Sequence, residues 1–335
     1  MEQTQKFLRE HFKTDDFKVL SLAGDASTRK YYRVSHDDRT FVLMSWEPFD
    51  KNNYPFLSVL DHFAKHQVKV PKVIAMSELR GLVLLEDLGD LTLERKFWEK
   101  QDPTQAIDFY KRSLDELIKI HFLCTQDKTD CSAFKMQFDT EKLLWEMNYG
   151  RTHLLEQMSG FEFSAKLTEE IQSCFTRICE RLHQEPKFIA HRDYHSRNLM
   201  IKFDEIRVID FQDARLGAVQ YDLVSLLRDS YVELPSEMEA ELLSYYLIRA
   251  RDYLPKNFSK AHFDEIYELQ TVQRCFKACG SFSSFYNQRQ DTRYLKYISH
   301  TLLRVMKSLT HFPEYKVFSQ VLIDSGALER NYENP

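Results

Sequence analysis

The stretch His191-Arg192-Asp193-Tyr194-His195-Ser196-Arg197-Asn198 and the short segments that follow it constrain this chain more than any other part. Leu199–Ile201 and Arg207–Ile209 are two apolar runs separated by a polar turn centred on Asp204, which predicts a β-hairpin. A hairpin symmetric about Asp204 would set Asn198 opposite Asp210, with Cα atoms about 5 Å apart. An amide oxygen and a carboxylate would then converge on one point. That donor pair suits Mg²⁺, a hard cation that takes oxygen ligands and leaves its other positions to water and phosphates. Asp193, five residues before Asn198, would stand beside the metal but outside its ligand set, free to accept a proton.

The block fits the kinase catalytic loop H-R-D-x-x-x-x-N, with Asp210-Phe211 where a metal-binding Asp-Phe is expected. The reaction implied is phosphoryl transfer from ATP, with Asp193 as catalytic base. No Ala-Pro-Glu segment carries a peptide substrate, and Gln212 stands where Asp-Phe-Gly has its glycine, so a small-molecule acceptor is expected.

At 335 residues the chain has room for two lobes. Lys18–Leu85 is strand-rich, with apolar segments at Val19–Leu22, Tyr31–Val34, Phe41–Ser45, Val73–Met76 and Leu82–Leu85. Helical spacing interrupts them at Phe56, Val59, Leu60, Phe63 and Ala64. Beyond Gly89 helical periodicity dominates, as in Ile107–His121 and Leu167–Leu182, and Ser236–Glu239 reads as a capping box. The fold expected is α+β and two-lobed: a nucleotide-binding antiparallel sheet lobe with one helix (1–88), then a mainly helical catalytic and acceptor-binding lobe (89–335), hinged at Asp87–Asp90.

A net charge of −5 and a pI near 6.2 argue against nucleic acid as a partner. No apolar run approaches the roughly 18 residues of a membrane span, and MEQTQKFLREHF does not read as a secretory signal, so a cytoplasmic protein is expected. A monomer is the simplest expectation. The six cysteines include no C-x-x-C pair and are not a disulfide framework. Cys275 and Cys279, one helical turn apart, read as core residues.

HRDYHSRNLMI and VIDFQDARLGAVQYDLVSLLRDSYV resemble the aminoglycoside phosphotransferase and choline kinase group, and within it the bacterial kinases acting at the anomeric hydroxyl of N-acetylmuramate and N-acetylglucosamine. The resemblance extends from Gly24–Tyr32, where those enzymes have a phosphate loop, through Leu84–Gly89, to Gln273–Phe282. It implies a protein-kinase-like fold, ATP in the cleft with adenine on hinge backbone around Glu86–Leu88, Asp193 as base, and Asn198 and Asp210 as metal ligands. It also implies that Asp222 steadies the catalytic loop, a supporting part that His191 would share.

The chain departs from the pattern where Met44 occupies the place of the strand lysine that contacts the phosphates, and where no G-x-G-x-x-G occurs. Ser27 and Thr28 are expected to supply hydroxyls and amides to the phosphates, with Arg29, Lys30 or Arg33 as the compensating cation. For the acceptor, a sugar with an amide and in one case a carboxylate, the candidates are His195, Arg228, Asp229, Arg274 and Lys277, with Glu146, Asn148 and Tyr149 behind them. Each reads equally as an exposed or salt-bridged helix residue. An aminoglycoside, a choline-like alcohol, or a nucleotide-binding pseudokinase are the alternative readings.

Overall fold

In the computed structural model, which describes residues 2–22, 29–99 and 103–333, period-two alternation organises the first lobe. Strands β1 (Lys18–Ser21), β2 (Lys30–His36), β3 (Arg39–Ser45), β4 (Val73–Ser77) and β5 (Leu82–Glu86) form one antiparallel sheet in the order β1-β2-β3-β5-β4. Val34, Leu43, Leu82 and Leu84 point to one face, Met44, Val83 and Leu85 to the other. Both faces are therefore apolar, and each needs a cover. Helix α2 (Pro55–Lys65) covers the second face with Phe56, Val59, Leu60 and Phe63, as its spacing predicts.

The first face is covered by a helix in addition to the one expected. α1 (Glu2–Phe12) lays Phe7 and Leu8 on Val34, Leu43, Leu82 and Leu84. Burying each such side chain contributes about 1.5–3 kcal/mol. Only Thr4, Phe7 and Leu8 of α1 are buried, too few apolar positions for its periodicity to stand out.

The remainder is helical: α3 (Leu93–Trp98), α4 (Ile107–Ile118), α5 (Thr140–Gly150), α6 (Ala165–His183), α7 (Val219–Leu227), α8 (Ser236–Ala250), α9 (Lys260–Arg289), α10 (Ile298–Leu309) and α11 (Lys316–Asp324). Thr92, Asp139, Ser164 and Ser259 cap α3, α5, α6 and α9 through their side chains. The capping box expected at Ser236 does not form. Pro235 precedes the helix without a side-chain cap, and Glu239 instead accepts hydrogen bonds from Arg228 Nε (2.8 Å) and Tyr267 Oη (3.2 Å). α4 continues into a π-helical turn, Lys119–Cys124, which carries the buried His121. All six cysteines are free and buried.

α5 and α9 cross where neither has a side chain. A Cβ on Gly280 would lie 2.5 Å from Gly150 Cα, so only glycine permits the approach. Short strands β6 (Phe188–Ala190) and β9 (Arg215–Gly217) pair antiparallel beneath the catalytic loop, and β7 (Leu199–Lys202) and β8 (Glu205–Val208) form the hairpin that follows it. Among the described residues no helix is long and apolar enough to cross a membrane.

Candidate active site

The hairpin forms one register away from the symmetric one. Leu199 pairs with Val208 and Lys202 with Glu205, so the turn is Phe203–Asp204, both with positive φ (52° and 58°), rather than a loop centred on Asp204. Asn198 therefore faces Ile209, whose N–H donates to the Asn198 carbonyl at 3.1 Å. A slip of one residue ought to turn Asp210 to the opposite face. Asp210 escapes this by leaving the strand in the left-handed region (φ 65°), and its Oδ2 lies 3.2 Å from Asn198 Nδ2. The two side chains meet as expected, by a different route. Phe211 is buried against Phe56 and Phe63 of α2, with ring centroids 5.2 and 5.8 Å away.

Behind the catalytic loop, buried carboxylates hold its backbone. Asp222, fully buried on α7, accepts from His191 N–H (2.6 Å) and Arg192 N–H (2.9 Å). Arg192 has a φ of 84°, a conformation costing of order 1–3 kcal/mol unless its surroundings enforce it. His121 braces Asp222 from behind: its Nε2 is 3.3 Å from Asp222 Oδ2 and its Nδ1 is 2.7 Å from Tyr246 Oη. His191 Nε2 donates to the Ile209 carbonyl at 3.0 Å, tying the loop to the hairpin.

Two of the residues expected to line the acceptor pocket, Arg228 and Asp229, do border the cavity described below, but their polar atoms are engaged within the protein. Asp229 accepts from Ser196 N–H (2.8 Å), Ser196 Oγ (2.5 Å) and Tyr231 N–H (2.9 Å), so both of its oxygens are engaged within the protein. Arg228 has its guanidinium committed to Glu239 (2.8 Å), Glu268 (2.6 and 2.8 Å) and Thr271 (2.7 Å). Both directly follow α7, at the edge of the cavity.

The front of the loop differs. Asp193 has a quarter-exposed side chain surrounded by cations it does not directly bond: Arg192 Nε at 3.7 Å, Arg274 Nη2 at 3.8 Å and Lys277 Nζ at 4.0 Å. Burial would raise its pKa, but Lys277, Arg192, Arg274 and His195 together hold it far below the usual carboxylate range. Burial pushes Lys277 down to about 8 against the pull of Asp193, and pushes His195 down to about 3, so its ring is neutral. A cavity of about 200 Å³ opens here, lined by Asp193, His195, Arg228, Asp229, Arg274 and Lys277 among others. Arg274 and Lys277, one helical step apart on α9, thus meet Asp193 where the sequence led one to look. Of the weaker candidates, Glu146 is buried between Gln273 Nε2 (2.9 Å) and Tyr221 Oη (3.3 Å), one layer beneath this cluster.

Sequence reasoning assigned no part to Arg192, Lys142 or Arg215, three more cations gathered around Glu146 and Asp213. Arg192 was findable, being inside the motif. Lys142 and Arg215 come from distant segments and carried no local signal.

On the sheet side, Ser27 and Thr28 lie outside the described residues. Met44 is buried and opposite Tyr31 in the β2–β3 register, accepting a long contact from Tyr54 Oη (4.0 Å). Arg33 is spent on Asp87 (2.7 Å) and Asp90 (2.9 Å), and Lys30 is exposed. Arg29 lies over the Trp46 ring (4.8 Å), beside the Tyr31 and Tyr54 phenols, and Tyr31 itself senses the Asp210 charge. Among the three cations considered, Arg29 is the one set beside Tyr31 and Tyr54, while Arg33 on the same face of β2 is held by the hinge carboxylates. At the hinge, the Glu86 carboxylate takes Lys202 Nζ (2.9 Å), which also donates to the Asp87 carbonyl (2.7 Å), and Leu88 is buried.

Asn198 and Asp210 fit a hard divalent cation. The Asn198 amide lies beside the Asp210 carboxylate, where it would present its oxygen to a cation by turning about its last side-chain bond, and Asp210 has its pKa raised by burial and by the Asp193 charge, an unfavourable environment that a bound cation would reverse.

The chain is similar to several known proteins. An N-acetylmuramate/N-acetylglucosamine kinase from Neisseria meningitidis serogroup B is 29% identical, over 92% of this chain and 91% of that protein. One of the same name from Pseudomonas aeruginosa is 28% identical, over 91% and 88%. Among solved structures, choline kinase LicA from Streptococcus pneumoniae superposes with a TM-score of 0.60 at 15% identity, covering 92% of this chain and 99% of that one. ADP-bound aminoglycoside phosphotransferase APH(2'')-Ib gives 0.58 at 16%, covering 90% and 97%. These two share the kinase-like fold of a small antiparallel sheet lobe and a larger helical one. The profile of the phosphotransferase enzyme family matches residues 18–255, from β1 to the turn after α8, and the chain belongs to that family.

Proposed function

We propose that this phosphotransferase moves the γ-phosphate of ATP onto the anomeric hydroxyl of N-acetylmuramate and N-acetylglucosamine, and serves recycling of cell-wall sugars in the cytoplasm. The observation that carries the reading is Asp193, held 3.7–4.0 Å from Arg192, Arg274 and Lys277 at the edge of a cavity, with Asn198 and Asp210 beside it. At those distances the carboxylate makes no direct hydrogen bond to the cations, so its oxygens remain able to accept one from an acceptor hydroxyl in the cavity. The names of the two sugar kinases that resemble the chain over most of its length supply the acceptor.

The charge of the pocket supports a neutral or anionic acceptor. An aminoglycoside is a polycation and would approach Arg192, Arg274 and Lys277 with like charge. A lactyl carboxylate is drawn to the same groups.

Asp193, so strongly stabilised as a carboxylate, is a weak base. That is tolerable in phosphoryl transfer, whose loose transition state requires orientation of the nucleophile more than early deprotonation. An anomeric hydroxyl is also more acidic than an ordinary alcohol. Asp193 therefore aims the oxygen by accepting its hydrogen bond and receives the proton as the O–P bond forms. Asn198 and Asp210 would hold Mg²⁺, which, when bound, neutralises charge on the transferring phosphates. Arg29 stands in for the absent strand lysine, and the hinge around Glu86–Leu88 receives the adenine.

Incubation with MgATP and each sugar, following ADP and the reducing end together, tests the proposal. Loss of reducing-end signal in step with ADP is expected. ADP with an intact reducing end means transfer to another hydroxyl. ATP binding without ADP formation under any acceptor means a nucleotide-binding protein whose buried Met44 has replaced catalysis.

A further inference from the structure

On the far side of α2 from the sheet lies a constellation that phosphoryl transfer does not use. His62 and His66 are four residues apart and so share one helix face. Asp127 reaches them from the segment after the π-helical turn of α4. One ligand atom from each of the three lies within 4.8 Å of the others.

The hydrogen bonds around these rings prepare them for a metal. His62 is buried, and its Nε2 is 2.9 Å from the Cys124 carbonyl. A carbonyl only accepts, so the ring proton is on Nε2 and Nδ1 keeps its lone pair. A backbone carbonyl orienting the second nitrogen is the usual companion of a metal-bound histidine. Burial also lowers the His62 pKa, which keeps the imidazole neutral as a ligand must be. Thr129 Oγ1, 3.2 Å from Nδ1, is a long contact that a metal would displace or join as an oxygen donor. His66 Nε2 is already 2.9 Å from Asp127 Oδ2.

We propose that His62, His66 and Asp127 form a second metal site, for a divalent ion of the zinc class, with a tetrahedral shell completed by water or Thr129. Two imidazoles and a carboxylate are a nitrogen-rich set that suits Zn²⁺ and disfavours Mg²⁺. One competitor is present: Lys65 Nζ, 2.5 Å from Asp127 Oδ2. Its side chain is more than half exposed, and a screened ion pair of this kind is weak. The other nearby ammonium, Lys119, is engaged by Gln67 O (2.9 Å) and Glu116 (2.8 Å).

The site joins α2 of the sheet lobe to the Cys124–Thr129 segment of the helical lobe. The same helix seats Phe211, next to Asp210. A metal here would fix α2 and, through Phe211, the position of Asp210, which makes the ion a structural regulator and not a participant in chemistry. The inference does not depend on which acceptor the enzyme uses.

The test is zinc titration of the untagged chain carrying Asp210→Asn, which silences the catalytic metal site, by calorimetry and by Co²⁺ absorption. One equivalent should bind and raise the melting temperature. His66→Gln and Asp127→Asn, both at half-buried positions that tolerate replacement, should each weaken binding about tenfold or more while the zinc-free melting temperature stays close to the parent's. Lys65→Met should tighten it by removing the competitor. Absence of zinc uptake by the Asp210→Asn chain overturns the proposal, as does uptake that neither His66→Gln nor Asp127→Asn changes.

Discussion

The two sides of the catalytic loop are built from the same residue types with opposite bonding. Behind it, Asp222, Asp229 and Arg228 are saturated: each oxygen or nitrogen that could meet a ligand meets the protein. In front, Asp193 stands 3.8 Å from Arg274 and 4.0 Å from Lys277, close enough for each to set the other's charge and too far for a direct hydrogen bond. The difference teaches that charge alone does not mark a functional residue. What marks it is charge held in place by others and left unfinished.

The contrast predicts what substitutions will do. Asp193→Asn should lower kcat by about 10²–10⁴-fold, with ATP affinity and melting temperature near wild type; a loss of nucleotide binding by calorimetry would show that Asp193 is scaffolding after all. Asp222→Asn should act the other way, costing about 3 kcal/mol of stability in denaturant unfolding by leaving buried loop N–H groups and His121 poorly matched. If it unfolds like wild type, the rear of the loop is not held as described.

A pair of arginines sharpens the comparison. Arg274→Met should reduce kcat/KM for the anionic sugar about 10–100-fold with a modest change in stability, whereas Arg228→Met should lower the melting temperature and leave kcat/KM of the folded fraction within about threefold. Equal effects from the two would erase the distinction between front and rear.

The smallest effect concerns pH. Lys277 is a cation below its pKa of about 8 and loses that charge as pH rises through it, while Asp193 stays ionised throughout. The kcat/KM profile should be flat through neutrality and fall above about pH 8, up to about tenfold per pH unit. Lys277→Arg should carry the falling limb to higher pH, since a guanidinium does not deprotonate in this range. A limb that stays at the same pH belongs to another group.

Much of this arrangement was legible in the sequence, and the failures are instructive. The sheet strands follow from period-two alternation and short turns, both local signals. The hairpin was readable from its two apolar runs, but its register was not: Phe203, a large apolar residue, occupies a turn position that composition assigns to polar residues. Arg274 and Lys277 could be paired because i and i+3 share a helix face. Arg228 and Asp229 border the cavity as expected, but that their polar atoms are already engaged could not be read, because it depends on Glu239, Glu268 and Ser196, which are distant in sequence. Helix α1 escaped because its partner surface, the outer face of the sheet, exists only after the sheet has formed.

The crossing of α5 and α9 at Gly150 and Gly280 has a further meaning. Lys277 and Arg274 ride on α9 one and two turns from that crossing, so the position of both cations is tied to how closely two backbones touch. The contact is a spacer of zero thickness. Adding one methyl group at Gly280 would wedge the helices apart and shift both cations relative to Asp193, so a residue outside the cavity fixes the geometry of the charges inside it.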